Sequence, residues 1–184
     1  AVASGFGVIV PIDRLLKPEE VWPILERSRA VMLIHDASWH LSVRAFSDQL
    51  PFLTHRVVMD RGIASDETRK AVAQDRQTDS NLFVLDEILE DGPEKKDGCD
   101  LMPAPDPQDD VAILFTSGTS AGSKAVILTD RSITADVRAL LGSVYFPRPL
   151  DTLSILPLHH AFENTCGFLT VLSLGGTIHL FDGL

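Results

Sequence analysis

Two apolar runs of β-forming residues, Val111 to Thr116 and Lys124 to Thr129, are separated by a few residues rich in hydroxyl side chains and glycine, Ser117-Gly118-Thr119-Ser120-Ala121-Gly122-Ser123. So short and glycine-containing a connection predicts two strands joined by a loop, as in a hairpin. Its base is held by the strands while its tip can close over a ligand. The loop composition suits an anion. Hydroxyls and free backbone N–H groups donate to anionic oxygens, glycine permits close approach of the main chain, and Lys124 adds a mobile positive charge. A polyphosphate offers several acceptors at once, and the loop holds no carboxylate or carboxamide that would serve a neutral sugar.

Three other readings of these residues compete. Clusters of Ser, Thr and Gly between periodic segments are usually solvated loops, and on composition alone that reading leads. A Walker-type loop requires G-x-x-x-x-G-K-[ST] opening a helix; counting from Gly118 puts Ser123 at the second glycine and Ala125 after the lysine, which rules it out. Gly118-Thr119-Ser120-Ala121-Gly122 does satisfy G-x-S-x-G, with Asp151 and His160 following in the order of an α/β serine hydrolase using Ser120. That elbow turns a strand directly into a helix, whereas a second β-type run follows here.

The run TSGTSAGSKAV resembles the signature TSGTTGxPKGV of the AMP-forming adenylating enzymes, the superfamily of acyl-CoA synthetases, luciferases and peptide-synthetase adenylation domains. Thr116, Ser117, Gly118, Thr119, Lys124 and Val126 fit it, and Ser120 replaces a threonine. Ala121, Ser123 and Ala125 depart from it. The opening, AVASGFGVIVPIDRLLKPEEVWPILERSRAVMLI, is similar to another segment of that family, with Pro11 and Asp13 as its characteristic pair. A third stretch, LPLHHAFE, resembles the family's LPLxHxxE, which puts His160 at the histidine position, His159 at a variable one and Glu163 at an acidic position found mainly in ligases for longer acyl chains. The resemblance reverses the order of the loop readings.

That resemblance implies an α/β fold, a layered and mostly parallel sheet flanked by helices, with residues 1–184 forming part of an N-terminal AMP-binding domain whose C-terminal domain is absent. It implies ATP with Mg2+ and coenzyme A as cofactors, a medium- or long-chain carboxylic acid as substrate, and an AMP-forming acid–thiol ligase as the parent protein. Thr116, Ser117, Gly118, Thr119, Ser120, Gly122 and Lys124 would bind the β- and γ-phosphates, with Lys124 and His160 as catalytic residues. Such a fragment is expected to be inactive alone and to self-associate through apolar surface left exposed. A degenerate, non-catalytic relative is the further alternative, motivated by Ala121, Ser123 and Ala125.

The rest of the chain agrees with an α/β domain. Its 184 residues, 45% hydrophobic, suffice for a sizeable core. A net charge of −10 with no basic stripe argues against nucleic acid, and leaves any polyphosphate dependent on local donors. Cys99 and Cys166 form no CxxC pair, which fits reduced thiols in the cytoplasm. The apolar start is too short to span a bilayer. Phe6 to Val10 is expected as a buried strand, Lys17-Pro18-Glu19-Glu20 as the start of a helix, Val31 to Ile34 and Arg56 to Met59 as strands, and Ser38 to Leu50 as a helix between them. Ala64 to Gln77 predicts an exposed helix, Asn81 to Glu90 a strand and short helix, and 91–110 a Pro- and acid-rich connector. Asp130 is expected to cap a helix carrying Ile133, Val137, Leu140 and Leu141. Leu153 to Leu156 predicts a strand, with a helix from His160 to about Leu174 and His179 in a further strand. His159 is expected to be a partly buried histidine, capping or bonding to backbone. Adjacent His159 and His160 lack a third ligand, so no metal site is expected.

Overall fold

The computed structural model describes residues 7–60, 62, 64–91, 106–116 and 124–181. They divide into two units, Leu16–Asp100 and Ala1–Leu15 with Leu101–Leu184. Each is built from strand and helix, and three of the four strand pairings among the described residues are parallel.

In the first unit, helix α1 (Pro18–Ser28) begins as its sequence dictates. Pro18 occupies the first turn, Glu19 and Glu20 stand at the positive end of the dipole, and Glu20 Oε2 accepts the Lys17 backbone N–H at 2.8 Å. Val21, Ile24 and Leu25 turn inward, and Arg29 stops the helix in the left-handed conformation. Strands β1 (Met32–Asp36), β2 (His55–Met59) and β3 (Leu82–Val84) form one parallel sheet in that order, with Ile34 opposite Val57 and Val57 opposite Phe83. The segment after β1 is not one helix from Ser38. The Asp36 carboxylate accepts the Ser38 N–H at 2.9 Å and its hydroxyl at 2.7 Å, which winds a 3-10 turn over Ala37–Trp39 before α2 (His40–Ser47).

Helix α3 (Asp66–Arg76) is capped by Ser65, whose Oγ accepts the Thr68 N–H at 3.2 Å. It is not wholly a solvated element, because Thr68 and Val72, one turn apart, are buried. Val72 joins Ala37, Val58, Ala64 and Leu82 in a core against which Val84 packs. Helix α4 (Leu85–Asp91) follows β3 directly and is tied to α3 by a two-pronged Arg76–Glu87 pair at 2.5 and 2.6 Å. Cys99 and most of the expected connector lie outside the described residues.

In the second unit, β4 (Asp110–Thr116) and β5 (Lys124–Thr129) are antiparallel, and β5 runs straight into α5 (Asp130–Ser143). The expected buried strand at Phe6 to Val10 is reduced to one parallel bridge from Ile9 to Ala112. Val8 and Ile9 remain 43% and 41% exposed, and Phe6 lies outside the described residues. Strand β6 (Asp151–Ser154) pairs in parallel with β7 (Thr177–Leu180), and the crossover between them carries a helix that is π-wound over Glu163–Leu169 and α-wound as α6 (Thr170–Ser173). No helix among the described residues is long and apolar enough to cross a membrane.

Candidate functional site

The hairpin base is the first part of the site. Register places Thr116 opposite Lys124, with the Thr116 hydroxyl donating to the Lys124 carbonyl at 3.5 Å. Buried Val111, Ala112 and Leu114 anchor β4 below this point. Both end residues are exposed, and the Lys124 ammonium pairs with no carboxylate among the described residues. Ser117, Gly118, Thr119, Ser120 and Gly122 lie outside the described residues. The next described element after β4 is the antiparallel strand Lys124–Thr129, whereas a serine nucleophile elbow leads from its strand into a helix.

The cap of α5 corrects one expectation. Thr129, not Asp130, is the N-cap: its Oγ1 accepts the Ser132 N–H at 3.3 Å, and the Ser132 hydroxyl returns a bond to the Thr129 carbonyl at 2.8 Å. Asp130 is the first helical residue, where its charge complements the dipole.

The second part is the connection out of β6. Pro157 ends the extended segment, the His160 N–H bonds to the Pro157 carbonyl at 3.0 Å, and the His160 carbonyl accepts from Asn164 N–H at 3.0 Å. His160 is exposed and His159 half-buried. Their rings lie 4.3 Å apart between centroids, tilted by 41°. Among the described residues the His159 side chain has no hydrogen bond to backbone of the kind expected; its Nε2 stands 3.6 Å from Asp13 Oδ2. Burial holds His159 below the ordinary histidine range, with Asp13 pulling upward and His160 downward.

Glu163 is buried one turn further on. Its Oε1 accepts the Ser154 hydroxyl at 2.5 Å, linking the end of β6 to the start of the π-wound turn. The LPLHHAFE motif marks Glu163, but its partner Ser154 lies before the motif and was not legible. His179 sits in β7 as expected, 3.5 Å from Asp151 of β6. Among the described residues no three His, Cys, Asp or Glu side chains converge to hold a metal ion.

A cleft of about 460 Å³ opens between α5 and the helix after His160. Ile133, Leu140, Ala161 and Phe162 supply its apolar wall, with Asp136 and Cys166 at its edge. Neither Lys124 nor His160 lines it.

A family model described as AMP-binding enzyme matches residues 1–184, the whole chain. The chain belongs to the AMP-binding enzyme family. Long-chain-fatty-acid–CoA ligase 5 of Rattus norvegicus is 39% identical over 83 residues, 43% of this chain and 12% of the ligase. Long-chain-fatty-acid–CoA ligase 3 of Saccharomyces cerevisiae is 25% identical over 175 residues, 88% of this chain and 25% of the ligase. The chain therefore spans a quarter or less of these relatives. In fold it is similar to an anthranilate CoA ligase solved with anthranoyl-AMP, at a TM-score of 0.76 and 20% identity, covering 97% of this chain and 31% of that one. The adenylation and carrier didomain of a carboxylic acid reductase from Segniliparus rugosus, solved with AMP, gives 0.73 at 17% identity, covering 99% and 26%.

For an AMP-binding enzyme, the structure brings Thr116 and Lys124 together at the hairpin base. It sets His160 elsewhere in the same unit, on the turn after β6. Asp13 and Ser154 are the neighbours of the histidine motif that sequence reasoning had not assigned to the site.

Proposed function

We propose that the full-length protein is an AMP-forming acyl-CoA synthetase that joins a medium- or long-chain carboxylic acid to coenzyme A. The observation that carries this reading is the family match over the whole chain, within which Lys124 closes the hairpin whose loop resembles the family's phosphate-binding signature. The preference for longer acids rests on relatives named as long-chain-fatty-acid–CoA ligases and on Glu163 in the LPLHHAFE stretch.

The hairpin suits a nucleotide tail: an exposed hydroxyl and an exposed ammonium frame its loop in a chain of net charge −10. MgATP would supply an electrophilic α-phosphorus for the carboxylate, with pyrophosphate leaving, and the coenzyme A thiol would then take the acyl group with release of AMP. Lys124, Thr116 and the hydroxyls and backbone donors of Ser117, Gly118, Thr119, Ser120 and Gly122 hold the β- and γ-phosphates and offset negative charge. His160, exposed at the end of the β6 connection, orients the acid. Magnesium would enter with the nucleotide.

The chain by itself is inactive in this reading, and exposed Val126, Ile127, Leu153, Phe162 and Phe181 favour self-association when nothing covers them. The protein acts in the cytoplasm without a nucleic-acid partner. Exchange of labelled pyrophosphate into ATP by the full-length protein, dependent on added hexadecanoic or octanoic acid, is the expected result. Absence of exchange with either acid, in a folded protein, would replace this reading with that of a degenerate relative, the one suggested by Ala121, Ser123 and Ala125.

A further inference from the structure

Asp13 and His159 are 146 positions apart in sequence, yet their side chains meet beside His160. Asp13 is not free to follow solvent. Its Oδ1 accepts the Leu15 N–H at 2.9 Å, which turns Oδ2 toward His159 Nε2 at 3.6 Å. The two side chains are only 31% and 19% exposed. The His159 ring also packs against that of His160, with centroids 4.3 Å apart. His160 itself has its backbone held on both sides, by Pro157 and Asn164, and its side chain left open. The arrangement is a row of three: a tethered carboxylate, a half-buried imidazole and an exposed imidazole.

We propose that Asp13 and His159 are positioning residues for His160, an inference that rests on the ligase reading above. The carboxylate sets the plane of the His159 ring, and that ring limits the rotation of His160 toward the acid. Positioning of this kind acts on the rate of acid activation rather than on the grip on ATP. The groups facing His159 are Asp13 and His160.

Two variants isolate the effect. Asp13→Asn keeps the Oδ1 acceptor for Leu15 and removes the charge; His159→Phe keeps a ring against His160 and removes the nitrogen. In the full-length protein each is expected to lower kcat for acid-dependent pyrophosphate exchange at least fivefold, with KM for ATP within twofold of the parent. The double variant should lose no more than the worse single one, because both act through one contact, and Asp13→Glu should recover part of the loss. Histidine NMR of the same protein should show the His159 titration midpoint moving to lower pH in Asp13→Asn. An active parent with both single variants within twofold in kcat overturns the positioning role and leaves the ligase reading intact. Multiplying losses in the double variant, or an unmoved His159 midpoint, overturns the pair. A parent with no exchange overturns the ligase reading and the positioning role together.

Discussion

A Cβ added to Gly167 would lie 2.6 Å from both Cδ and Oε1 of Glu163 and 2.8 Å from Oε2. The carboxylate has little room to retreat: it is 6% exposed and accepts the Ser154 hydroxyl at 2.5 Å. The π-wound turn over Glu163–Leu169 thus folds a glycine onto a buried acid. Gly167→Ala is expected to destabilise the protein by about 1–3 kcal/mol, in the range of overpacked interiors. Urea unfolding of the parent, Gly167→Ala, Glu163→Ala and the double variant makes a cycle. The alanine at 167 should cost less when Glu163 has been truncated, and equal costs in both backgrounds would show that the crowding lies elsewhere.

Thr129 caps α5 through Ser132, and none of that helix's residues is buried. With so little packing to hold it, the first turn depends on the cap. Thr129→Ala is expected to cost about 1 kcal/mol, and Asp130→Ala less, because Asp130 acts only through the dipole. Thermal unfolding of the two variants tests the order. The reverse order would reinstate Asp130 as the cap.

This misplacement shows what the sequence could and could not convey. The hairpin was legible because apolar runs and a glycine–hydroxyl connection agree on one local structure. The parallel sheet of the first unit was legible from strands alternating with helices. At the head of α5, however, Thr129 and Asp130 are both good caps, and only the bond to Ser132 distinguishes them. The Ser154–Glu163 and Asp13–His159 contacts had no local signal, since each joins residues brought together by the crossover or by the return of the N-terminal segment. A carboxylate in a helical motif looks the same whether it faces water or a buried hydroxyl. The π-winding had no signal of its own: Gly167 lies only four residues beyond Glu163 in one turn, but an acid and a glycine at that spacing read the same in an α-helix.

His35 makes stability depend on pH. It lies next to last in β1, 6% exposed and stacked on His40 at 5.9 Å, with Nδ1 on the Asp36 carbonyl at 2.9 Å and Nε2 buried without a hydrogen-bond partner among the described residues. Burial lowers its pKa from 6.5 to about 4; His40 and Arg56 add to this, while Asp36 and the backbone bond oppose it. A depressed folded value means that the folded state prefers the neutral ring. Its contribution is complete above pH 6.5 and is lost as pH falls toward 4, by about 3 kcal/mol. Urea midpoints measured from pH 7.5 to 4 should fall more steeply for the parent than for His35→Gln. Parallel curves would mean that His35 is not protonated differently in the two states.

Lys124 is the test of the hairpin as a phosphate grip. Its strand position is fixed by pairing with Thr116, and the residue is exposed at the mouth of the hairpin. If it offsets charge on the departing pyrophosphate, its loss weakens stabilisation that grows along the reaction, not the hold on the acid. Lys124→Ala in the full-length protein should slow acid-dependent pyrophosphate exchange about 100-fold, corresponding to roughly 3 kcal/mol of barrier, with acid binding changed by less than about threefold. Lys124→Arg keeps the charge on a differently shaped head and should retain part of the rate. Equal exchange by Lys124→Ala and the parent would return this loop to the solvated turn that its composition alone suggests.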